Sequence, residues 1–222
     1  MSAPICILST KKLQSNQRQF LTNAGFSVVE ADFITIRPIP FQLKYLPDLL
    51  LFTSQNAIES VLRNPKADEL KQVPAVCVGT KTKRMLEDNG FKVLACEQYA
   101  QELKTVIQSS FSQSSIAFFS GNIRSNTLPD AMTRSAIVFE EYCVYENSEK
   151  TVRIDAKTDG ILFFSPSGVR SYLKQNILSG QICFCIGTTT AEALKDYTGR
   201  IIIAKQQTIE NVIIQCIKHY KK

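Results

Sequence analysis

The chain of 222 residues is long enough for one large domain or two of roughly 110 residues each. Its 44% hydrophobic and 21% charged residues exclude a disordered chain, a coiled coil and a collagen-like fibre. No apolar run reaches the roughly 18 residues that a membrane helix needs, and a net charge of +6 points to an anionic partner.

In chain order, apolar runs of strand length are expected at Ile5–Leu8, Ser27–Glu30, Leu49–Phe52, Ala75–Val78, Lys92–Ala95, Ile116–Phe119, Ile137–Phe139, Ile161–Phe164, Ile182–Ile186 and Ile201–Ala204. Helical periodicity is expected at Asn56–Leu62, Lys81–Asn89, Ala100–Phe111, Gly168–Gln175, Thr190–Tyr197 and Ile209–Tyr220. Strands that are apolar throughout, most followed by a helix, imply parallel sheets covered on both faces. That pattern predicts a doubly wound α/β architecture of flavodoxin or Rossmann type.

The N-terminus lacks the basic start, long apolar core and cleavage signature of a signal peptide, so a cytoplasmic protein is expected. Seven cysteines (Cys6, Cys77, Cys96, Cys143, Cys183, Cys185, Cys216) form no C-x-x-C pair and read as reduced structural thiols. Cys183 and Cys185 would share one strand face, but companion metal ligands are scarce and no metal site is expected. The single histidine, His219, lies in the basic tail, which excludes multi-histidine metal sites and disfavours His-based nucleophilic chemistry.

An internal repeat sharpens the picture. Asp48–Leu62 aligns with Asp159–Leu173 at six identical positions of 15, and Ala75–Asp88 with Cys183–Asp196 at six of 14. Ile5–Ser9 echoes Ile116–Ser120. The offsets of 111, 108 and 111 residues are close to half the chain, which predicts two similar α/β domains. The repeat is compatible with contiguous halves or with an exchange of strands between them. In the second case Phe33–Pro40 and Glu141–Asn147 would pair as a two-stranded β linker.

Chemistry is expected at the carboxyl ends of the strands, where open α/β sheets bind ligands. Four loops there lead into helices: Thr53–Asn56, Gly79–Thr82, Ser165–Gly168 and Gly187–Thr190. Their hydroxyls can cap a helix or face a ligand, and helix-start amides attract anions. No G-x-G-x-x-G, Walker or G-x-S-x-G motif is present, and the basic residues are scattered, so neither a nucleotide site nor nucleic-acid binding is expected.

Taken together, Leu51-Phe-Thr-Ser-Gln-Asn-Ala57, Val78-Gly-Thr-Lys-Thr82, Phe119-Ser-Gly-Asn-Ile-Arg124, Val144-Tyr-Glu146, Phe163-Phe-Ser-Pro-Ser-Gly168 and Ile186-Gly-Thr-Thr-Thr-Ala191 resemble, in order, the uroporphyrinogen-III synthase family. The resemblance spans nearly the whole chain. It implies the exchanged arrangement, with one domain at about 1–36 plus 147–222, the other at about 38–144, and linker strands near 33–40 and 141–147. It also implies a cofactor-independent lyase that dehydrates and cyclises hydroxymethylbilane, an octacarboxylate, with inversion of ring D. The segment 38–144 holds 11 Lys/Arg and 11 Asp/Glu, so the net charge lies in the other domain, consistent with attraction of a polyanion or with solvated lysines.

By matching family motifs, Tyr145 is expected to hydrogen-bond the leaving hydroxyl. Ser54, Thr82, Ser165 and Thr190 are expected to bind substrate carboxylates or hydroxyls, with Thr189, Ser167 and Lys11 as further candidates. Gln55 and Thr188 depart from a proline frequent in relatives, and Asn56 lacks a charge that some carry. A monomer, acting without a membrane and in transient contact with hydroxymethylbilane synthase, is the expected state. Two other classes share the architecture: a two-lobed anion-binding protein without turnover, and a nucleotide-sugar transferase.

Overall fold

The computed structural model describes residues 4–221. Its elements are, in chain order, β1 (Cys6–Ser9), α1 (Ser15–Asn23), β2 (Ser27–Glu30), β3 (Ile34–Pro38), β4 (Leu49–Phe52), α2 (Gln55–Leu62), α3 (Ala67–Lys71), β5 (Ala75–Val78), α4 (Thr80–Asp88) and β6 (Val93–Glu97). There follow α5 (Ala100–Ser110), β7 (Ile116–Gly121), α6 (Thr127–Arg134), β8 (Phe139–Glu149), β9 (Gly160–Phe163), α7 (Pro166–Leu173), β10 (Ile182–Cys185), α8 (Thr188–Glu192), β11 (Ile201–Ile203) and α9 (Ile209–Tyr220). Among the described residues no helix is long and apolar enough to cross a membrane.

Two compact units result, Met1–Thr35 with Ser148–Lys222, and Ile36–Asn147. In the first, a five-stranded sheet runs β2-β1-β9-β10-β11, and its neighbouring strands are parallel. Successive side chains alternate between faces. Leu8, Ile161, Phe163, Cys183 and Cys185 therefore meet Val169 of α7 and Ala191 of α8. Ile7, Leu162 and Phe184 meet Leu21 of α1 and Val212 and Cys216 of α9 on the other side. Both faces of the inner strands are covered, which is why β9 and β10 are apolar throughout and β1 is polar only at Ser9, its last residue.

The second unit repeats the plan. Its sheet runs β8-β7-β4-β5-β6, with β3 on the outer edge of β8. Leu50, Phe52, Cys77 and Phe119 pack under α2 and α4, whereas Leu51, Val76 and Phe118 pack under α5 and α6. Through the sequence repeat β7 and β8 correspond to β1 and β2, and β4, β5 and β6 to β9, β10 and β11. The strand order is thus the same in both sheets. Each reverses direction at one place, between β1 and β9 and between β7 and β4, and the carboxyl ends there frame the crevice typical of doubly wound sheets.

β3 and β8 carry the chain across the boundary between units. Ile39 N–H donates to Val144 C=O at 2.8 Å, and Lys150 N–H donates to Phe33 C=O at 2.9 Å, a pattern of antiparallel pairing. The separate short strand expected at Ile137–Phe139 is instead the start of the 11-residue β8. The helix expected to reach Tyr197 stops at Glu192. Beyond it, Leu194 and Tyr197 donate three residues back, to Ala191 and Leu194, and the tighter turns end the α-helical ladder.

Three helices lie outside the expected periodic segments. α1 buries only Gln17 and Leu21, too thin a stripe to register as a period. Gln17 also donates through Nε2 to Glu210 at 2.6 Å, tying α1 to α9. α3 has five residues. α6 carries Pro129 in its first turn, where the missing N–H leaves no bond unmade, so a proline that reads as loop sits inside a helix. Four of the seven cysteines are buried, while Cys6 and Cys96 are partly covered and Cys143 is exposed. Burial pushes the thiols of Cys183, Cys185 and Cys216 up to about 12, which keeps them protonated and inert at neutral pH.

Candidate functional site

In the second unit two of the four hydroxyl loops follow β4 and β5. Ser54 is the N-cap of α2, and its Oγ accepts from the Asn56 amide at 3.2 Å. That bond occupies an oxygen lone pair and leaves the hydroxyl proton to donate elsewhere. Gly79 opens α4 with φ of 89°, a left-handed conformation that strains any residue with a Cβ. One turn on, Thr82 is buried, and its hydroxyl makes no hydrogen bond among the described residues.

Tyr145, on β8, is 6% exposed and belongs to the aromatic core of this unit. Its hydroxyl likewise makes no hydrogen bond among the described residues. The ring lies against Gly121 at the end of β7. Packing thus fixes the ring, while the O–H keeps its capacity to donate as far as the described residues go.

The other face of the β7–β8 pair carries a cluster that sequence reading missed. Ser120, Gly121, Asn122, Arg124, Asn126, Glu141 and Cys143 line an open pocket of about 520 Å³. The Arg124 guanidinium forks onto Glu141, Nε to Oε1 and Nη2 to Oε2, both at 2.6 Å, and Nη1 bonds Asn126 Oδ1. Ser120 Oγ donates to the same Oε1 at 2.6 Å. Burial pushes the Glu141 carboxyl up, but the hydrogen bonds from Arg124 and Ser120 and the adjacent positive charge outweigh it and hold the group below its ordinary value. The available signal was a cation three residues beyond the end of β7, at the reversal point of the sheet.

A depressed carboxyl of this kind stabilises the fold above its unfolded value of 4.5 and loses that contribution as the pH falls through the lower folded value. Glu141→Gln is therefore expected to lower the unfolding midpoint at pH 7 and to lower it by less as the pH falls below 4.5 toward 3. Thermal unfolding across that range checks this, and an equal loss at both pH values would count against it.

The first unit holds the remaining candidates. Ser165 is the N-cap of α7, and its Oγ accepts from the Gly168 amide at 3.1 Å and lies 3.1 Å from Ser167 Oγ. Thr10, another residue sequence reading passed over, sits at the end of β1, and both its amide and its Oγ1 donate to Leu162 C=O, at 3.1 and 2.7 Å. A Cβ at Gly168 would be 3.2 Å from Ser165 Oγ and 3.9 Å from Thr10 Oγ1. The ends of β1 and β9 thus bring Thr10, Ser165 and Ser167 together around Gly168.

Lys11 follows, exposed and without an ion pair among the described residues, its carbonyl accepting from Ser9 Oγ at 2.6 Å. On α8, Thr190 is 1% exposed and Thr189 lies at the surface. Neither hydroxyl is hydrogen-bonded among the described residues. Gly187, the repeat partner of Gly79, has φ of −168°, an extended conformation open to any residue, so the two equivalent turns differ in what they demand.

Each unit therefore repeats one division of labour. The serines, Ser54 and Ser165, accept from helix-start amides, while the buried threonines, Thr82 and Thr190, keep unspent hydroxyls. Amides and hydroxyls of this kind suit carboxylates and neutral hydroxyls alike. His219 stands apart, packed against Phe184 and Tyr220 with ring centroids 5.8 and 4.8 Å away. Among the described residues no three His, Cys, Asp or Glu side chains gather as metal ligands.

The model of the family described as uroporphyrinogen-III synthase HemD matches residues 16–214. No curated protein sequence matches. The crystal structure of uroporphyrinogen-III synthetase from Helicobacter pylori is 20% identical, superposes with a TM-score of 0.75, and the match covers 98% of this chain and 100% of that one. A mutant uroporphyrinogen-III synthase from Thermus thermophilus is 15% identical with a TM-score of 0.65, over 98% of this chain and 100% of that one. At these identities the structures establish a shared fold.

Proposed function

The chain belongs to the uroporphyrinogen-III synthase family and is a cyclising lyase of haem biosynthesis; on that premise we propose that Tyr145 is the residue that acts on the leaving hydroxyl of hydroxymethylbilane. The observation that carries this reading is the Tyr145 phenol itself, its ring packed on Gly121 and its O–H without a hydrogen bond among the described residues. In the proposed step the pyrrole nitrogen lone pair expels the terminal hydroxyl. The C–O bond breaks, and the departing hydroxide, hydrogen-bonded by Tyr145, takes a proton from solvent and leaves as water; the ring closure that follows returns one proton to solvent. An azafulvene cation remains on the substrate. Positioning of the chain then steers attack to the substituted carbon of ring D, so that this ring is inverted on closure. Holding reacting groups in place is worth roughly 7–11 kcal/mol in favourable cases, which suits a site without a histidine base.

The substrate's carboxylates and hydroxyls are assigned to Ser54, Thr82, Ser165 and Thr190 with their neighbouring amides, and further to Thr189, Ser167 and Lys11. Ser54 and Ser165 accept from the backbone and donate outward. Thr82 and Thr190 have hydroxyls that make no hydrogen bond among the described residues. Lys11 supplies a positive charge to a carboxylate. The working domains in this proposal are residues 1–36 with 147–222, and 38–144, joined by the strands near 33–40 and 141–147. The proposal requires no cofactor. It describes a cytoplasmic monomer that receives its labile substrate through transient contact with hydroxymethylbilane synthase.

Isomer analysis tests the activity. Purified protein mixed with freshly generated hydroxymethylbilane, with the products oxidised and separated by chromatography, is expected to yield chiefly type III porphyrin. Uncatalysed closure gives type I. A type I product alone from folded protein would overturn the proposal and favour a binding protein without turnover.

A further inference from the structure

β7 and β8 pair in step from Ile116↔Phe139 to Ser120↔Cys143, after which Gly121 pairs with Tyr145. One extra residue, Val144, is thus inserted on β8. In a regular strand Tyr145 would share a face with Glu141 and Cys143, which line the pocket. It instead joins Tyr142 and Val144 in the aromatic core. The bulge has turned the tyrosine onto the opposite face of the sheet, a way that bulges re-aim single side chains.

What receives the ring there is an absence. A Cβ on Gly121 would fall 2.4 Å from Cζ, 2.5 Å from Cε2 and 2.9 Å from the hydroxyl oxygen of Tyr145. Non-bonded carbons rest about 3.5–4.0 Å apart, so any side chain would push the ring away by about 1 Å. Gly121 is not among the glycines of positive φ, so what the position demands is the missing side chain rather than backbone freedom.

The next residue clamps the strand around the tyrosine. Asn122 N–H donates to Tyr145 C=O at 3.2 Å. Its side chain closes a ring on Asn147, Oδ1 accepting from the amide at 2.8 Å and Nδ2 donating to the carbonyl at 3.1 Å.

Resting on the assignment of Tyr145 to the leaving hydroxyl, we infer that Gly121 and Asn122 are positioning residues for the Tyr145 phenol: the first holds the ring by leaving room for it, the second by fixing the backbone from Tyr145 to Asn147. A displacement of about 1 Å at a reacting group can cost up to 100-fold in rate.

The test is a double-mutant cycle on turnover of hydroxymethylbilane, with thermal unfolding of each variant recorded alongside. Gly121→Ala is expected to lower kcat about tenfold, the loss expected of Tyr145→Phe, with KM little changed. In the Tyr145→Phe background the same change is expected to cost nothing more, because the hydroxyl it misplaces is already gone. Asn122→Ala, which introduces no clash, is expected to show a smaller loss with the same non-additivity, and it decides the matter if Gly121→Ala does not fold.

If Tyr145→Phe is impaired but Gly121→Ala and Asn122→Ala turn over normally, or lose the same factor with and without the Tyr145 hydroxyl, the inference is overturned while the role of Tyr145 stands. Wild-type turnover by Tyr145→Phe would remove the role of Tyr145 itself.

Discussion

Replacing Tyr145 with phenylalanine is expected to lower kcat by about tenfold or more while leaving KM and thermal stability close to wild type. The two parts of the side chain do separable work. Its ring is packed in the core of the second unit, 6% exposed and seated on Gly121, and phenylalanine preserves that packing. Its hydroxyl has no partner among the described residues, so its removal leaves no buried donor or acceptor unpaired and carries no folding penalty. What is lost is a hydrogen bond made to the departing oxygen as charge develops on it, and such an interaction appears in kcat. Steady-state kinetics with isomer analysis reads both sides. A variant with wild-type turnover and isomer purity would take Tyr145 out of the reaction.

Truncating Phe119 to alanine is expected to destabilise the second unit by about 3–5 kcal/mol, the range for large aromatic deletions in packed cores. Phe119 is fully buried. Its ring stacks on Phe52 at 5.2 Å and on Tyr142 at 5.7 Å, and lies tilted against Phe41 at 5.4 Å. Three aromatic partners each add roughly 0.5–1.5 kcal/mol beyond area burial, which places the cost toward the upper end. Urea unfolding should show a lower midpoint with an unchanged slope. Ile177→Ala, at a side chain 87% exposed, is the control and should shift stability by less than about 0.5 kcal/mol. A Phe119→Ala loss below about 1 kcal/mol would show that the cluster repacks around the cavity.

The sheets were legible in the sequence because every inner strand is apolar at consecutive positions. Leu49–Phe52 and Ala75–Val78 have both faces covered, and no helix of four residues would bury such a run. Helices that bury a broad stripe were legible for the same reason, α9 from Ile209 to Tyr220 among them. α1 was not, because two buried side chains in nine make no period. Nor was α6, whose Pro129 reads as a breaker when its place in the first turn is unknown.

The candidate site was legible as a set of positions. Ser54, Thr82, Ser165 and Thr190 stand at strand-to-helix junctions, which glycine, serine and threonine announce locally. What each hydroxyl does there was not legible, since a serine that caps and a threonine that stays free have the same local sequence signature. The Ser120–Arg124–Glu141 cluster was invisible for a different reason. Glu141 lies 17 and 21 residues from its two partners and reaches them only because β7 and β8 are neighbours. Tyr145 could be named from its motif, but strict alternation would have put it on the wrong face of β8, because an inserted residue changes the phase of everything after it.

The sequence by itself therefore determined the class of fold, the duplication within it and the loops where chemistry would gather, all properties of local pattern and of self-similarity along the chain. The tertiary structure decided which strands share a sheet. β1 pairs with β9, setting Leu8 beside Ile161 across more than 150 residues of chain, while β4, which repeats β9, pairs with β7. An apolar strand specifies that its faces be buried and its amides bonded, and two repeats of one sequence offer equivalent partners for both. The choice between them belongs to the hydrogen-bonded ladder and the helices packed over it, which exist only once the chain has folded.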